Sequence, residues 1–133
     1  MKALLVVAHG SRRTASNDEV RKLCERLQQE QQGEDFGIIS AGFLELAEPS
    51  IPEGIAQCIQ NGADYVVVVP YFLSAGRHVS QDIPAEVEKA RAEHPQVIIR
   101  LAPYLGSAPG ISKLLLEMME GGDEDGDSVE RFT

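Results

Sequence analysis

Three histidines carry the only side chains in this sequence whose unperturbed pKa lies near neutrality. His9 follows the apolar run Ala3–Ala8 directly, and His78 falls in the polar loop expected over Ser74–Gln81 after the run Tyr65–Val69. His94 stands before Pro95 and the run Val97–Leu101. If each run is a parallel strand, His9 and His78 lie at the carboxyl edge of the sheet, where open parallel sheets bind their ligands. His94 lies at the opposite edge and reads as an exposed surface histidine. Glu45, after the second strand, shares the edge of His9 and His78. Two imidazoles and a carboxylate in one cleft suit a divalent transition metal such as Co²⁺, Fe²⁺, Ni²⁺ or Zn²⁺. Spacing alone leaves a capping or packing role for either histidine open.

The same edge gathers bases in an acidic chain. Arg12, Arg13 and Arg77 favour a ligand carrying carboxylates or phosphates. With Ser11 and Gly76 they make the candidate substrate-binding set. Ser11, Thr14 and Ser16 are placed either to cradle a phosphate at a helix N-terminus or simply to cap that helix. Asp82 reads as a helix-start residue rather than a catalytic acid.

The elements that must hold these residues alternate. The run Ala3–Ala8 is continuous, as in a strand covered on both faces. A helix from Ser16 to about Gln31 follows, with Val20, Leu23, Cys24 and Leu27 on one side and a capping box from Ser16 and Glu19. Phe36–Leu44 contains the second strand. Ser50 and Glu53 form another capping box, opening a helix with Ile51, Ile55, Cys58 and Ile59 on its apolar stripe and a stop at Gly62. Tyr65–Val69 is the third strand. A helix around Pro84–Glu93 buries Ile83, Val87 and Ala90. Val97–Leu101 is the fourth strand, and Ser107–Pro109 starts a last helix with Ile111, Leu114, Leu115 and Met118 on one face. Four such alternations predict an α/β fold, a flavodoxin-like three-layer sandwich with a four-stranded parallel sheet of order 2-1-3-4 and helices on both faces.

Size and composition fit one domain. The chain has 133 residues, 43% of them hydrophobic, enough for a real core. No apolar run reaches the roughly 18 residues that span a bilayer. The apolar start is also too short for a signal peptide, which predicts a cytoplasmic protein without membrane contact. The net charge of −9 argues against nucleic acid. Cys24 and Cys58 read as buried free thiols, and without a CxxC pair a cysteine-built metal site is not expected. The expected domain covers residues 1–119. Residues 120–133, with six acids against Arg131, read as an acidic, disordered tail.

Three stretches resemble a known family. VVAHGSR at the start, GFLELAEPSI in the middle and VVVPYFLSAGRHVSQDIP after the third strand are similar to the small CbiX/SirB-type sirohydrochlorin chelatases, class II tetrapyrrole chelatases. The resemblance covers most of residues 2–120 and leaves out the acidic tail. It implies insertion of Co²⁺ or Fe²⁺ into sirohydrochlorin for cobalamin or sirohaem synthesis, without a permanent cofactor, and the sequence has no GxxxxGK(S/T) motif for ATP. It places the family's two metal-site histidines on His9 and His78 and a glutamate implicated in the chemistry on Glu45. It also implies a homodimer, because longer relatives carry two such halves in one chain. Sirohydrochlorin has eight carboxylates, which suits the arginines at the cleft, and insertion exchanges two pyrrole N–H protons for one M²⁺. Three other readings compete. A phosphohistidine-type phosphatase would have arginine where Ala8 stands. A flavin-binding module would want aromatic stacking, and the chain has no tryptophan. A metal-binding carrier would use the same histidines without turnover.

Overall fold

A computed structural model describes residues 1–31 and 35–121. Four parallel strands form one sheet, β1 (Lys2–Ala8), β2 (Phe36–Phe43), β3 (Tyr65–Pro70) and β4 (Ile98–Leu101), in the order β2-β1-β3-β4. The predicted order therefore holds, and the strand bounds agree to within about a residue. Strand β1 lies between its neighbours in register, Leu5 opposite Ser40 on one side and Val68 on the other. Between strands run α1 (Thr14–Glu30), α2 (Ile51–Gln60) and α3 (Ile83–Glu93), and α4 (Gly110–Glu120) follows β4.

Strand side chains alternate between two cores. Ala3, Leu5, Val7, Val66, Val68 and Ile99 point to the face covered by α2 and α3 and pack on Ile51, Ile55, Ile83 and Val87. Burying each aliphatic chain of this size contributes about 1.5–3 kcal/mol. Val6, Ala8, Ala41 and Phe43 face the other way, against Val20 and Cys24 of α1. Both cysteines are free and buried, as expected. Burial, with the Glu25 charge adding to it, pushes the Cys24 thiol up to about 11.

Two helix starts test the capping predictions. At α2 the box forms as read: the Glu53 amide donates to Ser50 Oγ at 3.2 Å, and the Ser50 amide donates to Glu53 Oε1 at 3.0 Å. These bonds hold the Glu53 carboxyl below its usual range. At α1 the predicted Ser16–Glu19 box is absent. The helix starts earlier, at Thr14, so Ser16 lies inside its first turn, and Arg13 occupies the cap position without a side-chain cap bond. Ser11 and Asn17 organise this start instead. The Arg13 amide donates to Ser11 Oγ at 3.0 Å. The buried Asn17 amide accepts from Ser11 N at 2.9 Å and donates to Ser11 O at 2.8 Å.

The apolar stripe of the last helix is uncovered among the described residues: Leu114, Leu115, Leu116, Met118 and Met119 are all more than half exposed. After β4 the chain folds back over the carboxyl edge, where Gly106 N donates to Phe72 O at 3.0 Å. The 3₁₀ turn Leu105–Ser107 packs there, and α4 leaves from it. His94 is half-buried rather than exposed, because it closes α3 with its amide donating to Ala90 O at 2.9 Å. The helix α4 also runs through Glu120, so the expected boundary at 119/120 falls inside an element. The rest of the expected tail, residues 122–133, lies outside the described residues.

Candidate functional site

The site is assembled where the ladder of β1 runs on past its strand. Leu44 N donates to Ala8 O and Glu45 N donates to His9 O, both at 3.0 Å, so backbone bonds carry Glu45 alongside His9. Gly10 permits this approach. Its φ is +95°, and a Cβ built there would stand 1.7 Å from the Glu45 carbonyl oxygen. Only glycine combines that conformation with that proximity. On the other side Tyr71 N donates to Val7 O at 2.7 Å, which directs the chain after β3 back toward the same edge.

His78 is not in a loop, contrary to the expectation that Ser74–Gln81 is irregular. It opens a π-helical turn, His78–Asp82, that runs straight into α3. Ile83 N donates to His78 O, five residues back. Pro84 supplies a reason: it has no N–H for the Ser80 carbonyl, and its ring crowds that carbonyl, so the preceding turn widens. Such turns are rare and are frequent at functional sites. A helical turn anchored by the buried Ile83 holds an imidazole more firmly than a loop would.

The two predicted histidines meet. Their ring centroids are 4.8 Å apart at an interplanar angle of 62°. His9 Nε2 lies 3.3 Å from Glu45 Oε1. His9 Nδ1 lies 2.9 Å from Gly10 O, and His78 Nδ1 lies 2.8 Å from Asp82 Oδ2. A carbonyl and a carboxylate only accept. The contact with Asp82 therefore assigns the proton of the neutral His78 ring to Nδ1 and leaves its Nε2 lone pair free. Both His9 nitrogens face acceptors, Gly10 O and Glu45 Oε1, and the one proton of the neutral ring serves one of them at a time. With that proton on Nδ1, His9 Nε2 and Glu45 Oε1 face each other as two acceptors. A proton or a cation between them relieves that opposition. The side chains of His9, His78 and Glu45 are 42%, 44% and 55% exposed, open enough for a solute to reach. Among the described residues no group of three or more His, Cys, Asp or Glu is arranged to hold a metal. The site offers two imidazoles with a carboxylate at the side of one.

The remaining predicted residues lie on the segments that follow β1 and β3. Ser11 is half-buried with its hydroxyl engaged by the Arg13 amide, which favours the capping reading over a phosphate cradle. Arg12, Arg13 and Arg77 are exposed, and among the described residues none makes an ion pair. Gly76 is exposed, and its carbonyl accepts from Ser80 N and Ser80 Oγ, both at 2.9 Å. Tyr71 and Leu73 are exposed apolar side chains on the same edge; with Leu105 they border a hollow of about 160 Å³. A second hollow, about 260 Å³, lies between Gly10, Ser11, Asn17, Phe43 and Tyr71. Neither contains the histidine pair, which stands on the open rim.

Three contributors escaped the sequence reading. Asp82 was expected to start a helix, but its side chain makes no cap bond and instead accepts from His78. The spacing of four residues on one helical stretch is the signal that could have found it. Gly10 was signalled only by its place after a strand. Asn17 gave no signal, because its partner is backbone.

A parallel sheet of order 2-1-3-4 with a histidine pair and a glutamate at its carboxyl edge defines the class of protein. The chain belongs to the CbiX family, whose sequence profile matches residues 3–121. It is similar to a sirohydrochlorin ferrochelatase of Priestia megaterium, 35% identical over 88% of this chain and 43% of that protein. A sirohydrochlorin cobaltochelatase of Sulfurisphaera tokodaii is 31% identical over 90% of this chain and 92% of its own length. The crystal structure of the sirohydrochlorin chelatase SirB from Bacillus subtilis subspecies spizizenii in complex with cobalt superposes with a TM-score of 0.77 at 28% identity, covering 98% of this chain and 57% of SirB. The chain thus spans about half the length of several of its relatives, while others are its own size.

Proposed function

We propose that this chain is a sirohydrochlorin chelatase that inserts Co²⁺ or Fe²⁺ into the macrocycle, serving cobalamin or sirohaem synthesis. The observation that carries the reading is the His9–His78 pair, 4.8 Å between ring centroids, with the His78 Nε2 lone pair free and Glu45 Oε1 beside His9 Nε2. The family relatives named as ferrochelatase and cobaltochelatase support the substrate.

Insertion exchanges two pyrrole protons for one divalent metal. His9 and His78 present the metal on one face of the ring, and borderline imidazole donors suit Co²⁺ and Fe²⁺, with Ni²⁺ and Zn²⁺ also within reach. Two ligands rather than a closed cage let the ion leave. As the ion departs, the Nε2 atoms of His9 and His78 that it leaves each accept one of the two pyrrole protons, and Glu45 Oε1, 3.3 Å from His9 Nε2, stabilises the proton on His9. The macrocycle is too broad for either hollow and lies across the rim, with Tyr71 and Leu73 toward its apolar face. Ser11, Arg12, Arg13, Gly76 and Arg77 meet its carboxylates, Arg as a planar fork. No permanent cofactor takes part.

The working unit in this reading is a cytoplasmic homodimer of single domains, each ending near residue 119. Relatives of about twice the length support a second copy, and the uncovered Leu115 and Met118 of α4 support a contact face. Two buried free thiols suit a reducing compartment. Sedimentation should report a dimer that Leu115→Asp with Met118→Asp converts to a monomer. Described helices include none long and apolar enough to cross a membrane.

The test mixes metal-free protein, sirohydrochlorin and Co²⁺ or Fe²⁺ without oxygen and follows the macrocycle absorbance. The reading predicts clear acceleration over the protein-free rate with at least one metal. Metal binding without acceleration by either would leave a carrier in its place.

A further inference from the structure

We propose that Asp82 is a positioning residue of the site: its carboxylate fixes His78 as the Nδ1–H tautomer and turns Nε2 toward the space beside His9. This rests on the reading of His78 as a metal-presenting residue.

The local geometry supports it. The His78 Nδ1–Asp82 Oδ2 separation is 2.8 Å, a short charge-assisted contact. Asp82 stands immediately before α3, where aspartate normally caps, yet its backbone is helical (φ −70°, ψ −47°) and its side chain caps nothing. Asp82 also makes no contact with a lysine or arginine among the described residues; its one ion-pair partner is His78. The π-helical turn carries both residues and keeps them four apart on one side of the helix. The Phe72 ring is a neighbour of the His78 ring, 6.5 Å between centroids.

The two imidazoles are consequently unequal. His9 Nδ1 faces a neutral carbonyl, Gly10 O, whereas His78 Nδ1 donates to a carboxylate. A carboxylate behind an imidazole fixes its orientation and strengthens the opposite nitrogen as a donor to a cation. His78 is therefore the stronger metal ligand of the pair. His9, whose Nε2 faces Glu45, is the weaker one.

Two measurements test this on the full chain. The first is ¹H–¹⁵N spectroscopy of the His78 ring in its neutral form, without metal. Wild type should show the Nδ1–H tautomer, and Asp82→Ala should show substantial Nε2–H. The second is calorimetric titration with Co²⁺ alone, together with the KM for each substrate. Asp82→Ala should weaken Co²⁺ binding about tenfold to a hundredfold. It should raise the KM for the metal and leave that for sirohydrochlorin near wild type, and Asp82→Glu should recover part of the loss. Should Asp82→Ala keep the Nδ1–H tautomer and wild-type Co²⁺ affinity while His78→Ala loses that affinity, the positioning role is overturned and the metal-presenting reading stands. Should His78→Ala bind Co²⁺ like wild type, both are overturned.

Discussion

Replacing Gly10 by alanine should separate Glu45 from His9. The added Cβ would stand 1.7 Å from the Glu45 carbonyl oxygen and 2.9 Å from its carbon. A non-bonded carbon needs about 3.5 Å, so the 45 carbonyl must retreat by roughly 2 Å. That displacement breaks the bond from Glu45 N to His9 O, worth about 1 kcal/mol. Holding a non-glycine residue at φ +95° adds about 1–2 kcal/mol. Together these give a loss of about 2–3 kcal/mol, or a fall in Tm of about 10 °C for a domain this size. Insertion should slow as well, because the Glu45 carboxylate moves with its backbone. The control is Gly76→Ala, where a Cβ meets nothing within 4 Å and stability should change by less than about 0.5 kcal/mol. Thermal unfolding by circular dichroism reads both. A Gly10→Ala protein as stable as Gly76→Ala would refute the close-approach reasoning.

Asn17→Ala removes both side-chain bonds to the Ser11 backbone, at 2.9 and 2.8 Å, and should cost about 1–3 kcal/mol in urea unfolding. Amide exchange at Ser11 should quicken with it; unchanged exchange would show that other contacts hold the loop. Cys24 and Cys58 should resist thiol reagents at pH 8 in the native protein and react on denaturation. The Cys24 thiol is raised from 9.0 to about 11 on folding, so its contribution is complete below about pH 9 and fades as pH rises toward 11. Cys24→Ala should flatten that alkaline decline, and an unaltered slope would contradict the assignment.

The sheet order was legible because the apolar runs are short, mostly continuous and separated by helical repeats, and right-handed crossovers leave few arrangements. The placement of His9, Glu45 and His78 followed from the same rule, since all three come after strands. What was not legible depends on groups without a sequence pattern. Asn17 bonds to backbone, so nothing in the side-chain spacing marks it. Ser16 and Glu19 satisfy a local capping code that yields to the Ser11–Asn17 closure one turn earlier. Pro84 read as the start of α3, whereas it widens a turn that begins at His78, which hid the pairing of His78 with Asp82. The amphipathic pattern of α4 was correct about which residues share a face but silent on whether this chain covers it. Metal and macrocycle came from motif resemblance; residue spacing by itself reached only a divalent metal and an anionic ligand.

The central claim is that His9 and His78 act together on the incoming metal. Its most direct test is the rate of Co²⁺ and Fe²⁺ insertion into sirohydrochlorin by His9→Ala, His78→Ala and His94→Ala, compared at equal folded concentration. The account predicts a loss of at least about tenfold for each of the first two and a near wild-type rate for His94→Ala, whose side chain stands at the opposite edge of the sheet. Full activity in both His9→Ala and His78→Ala would contradict it.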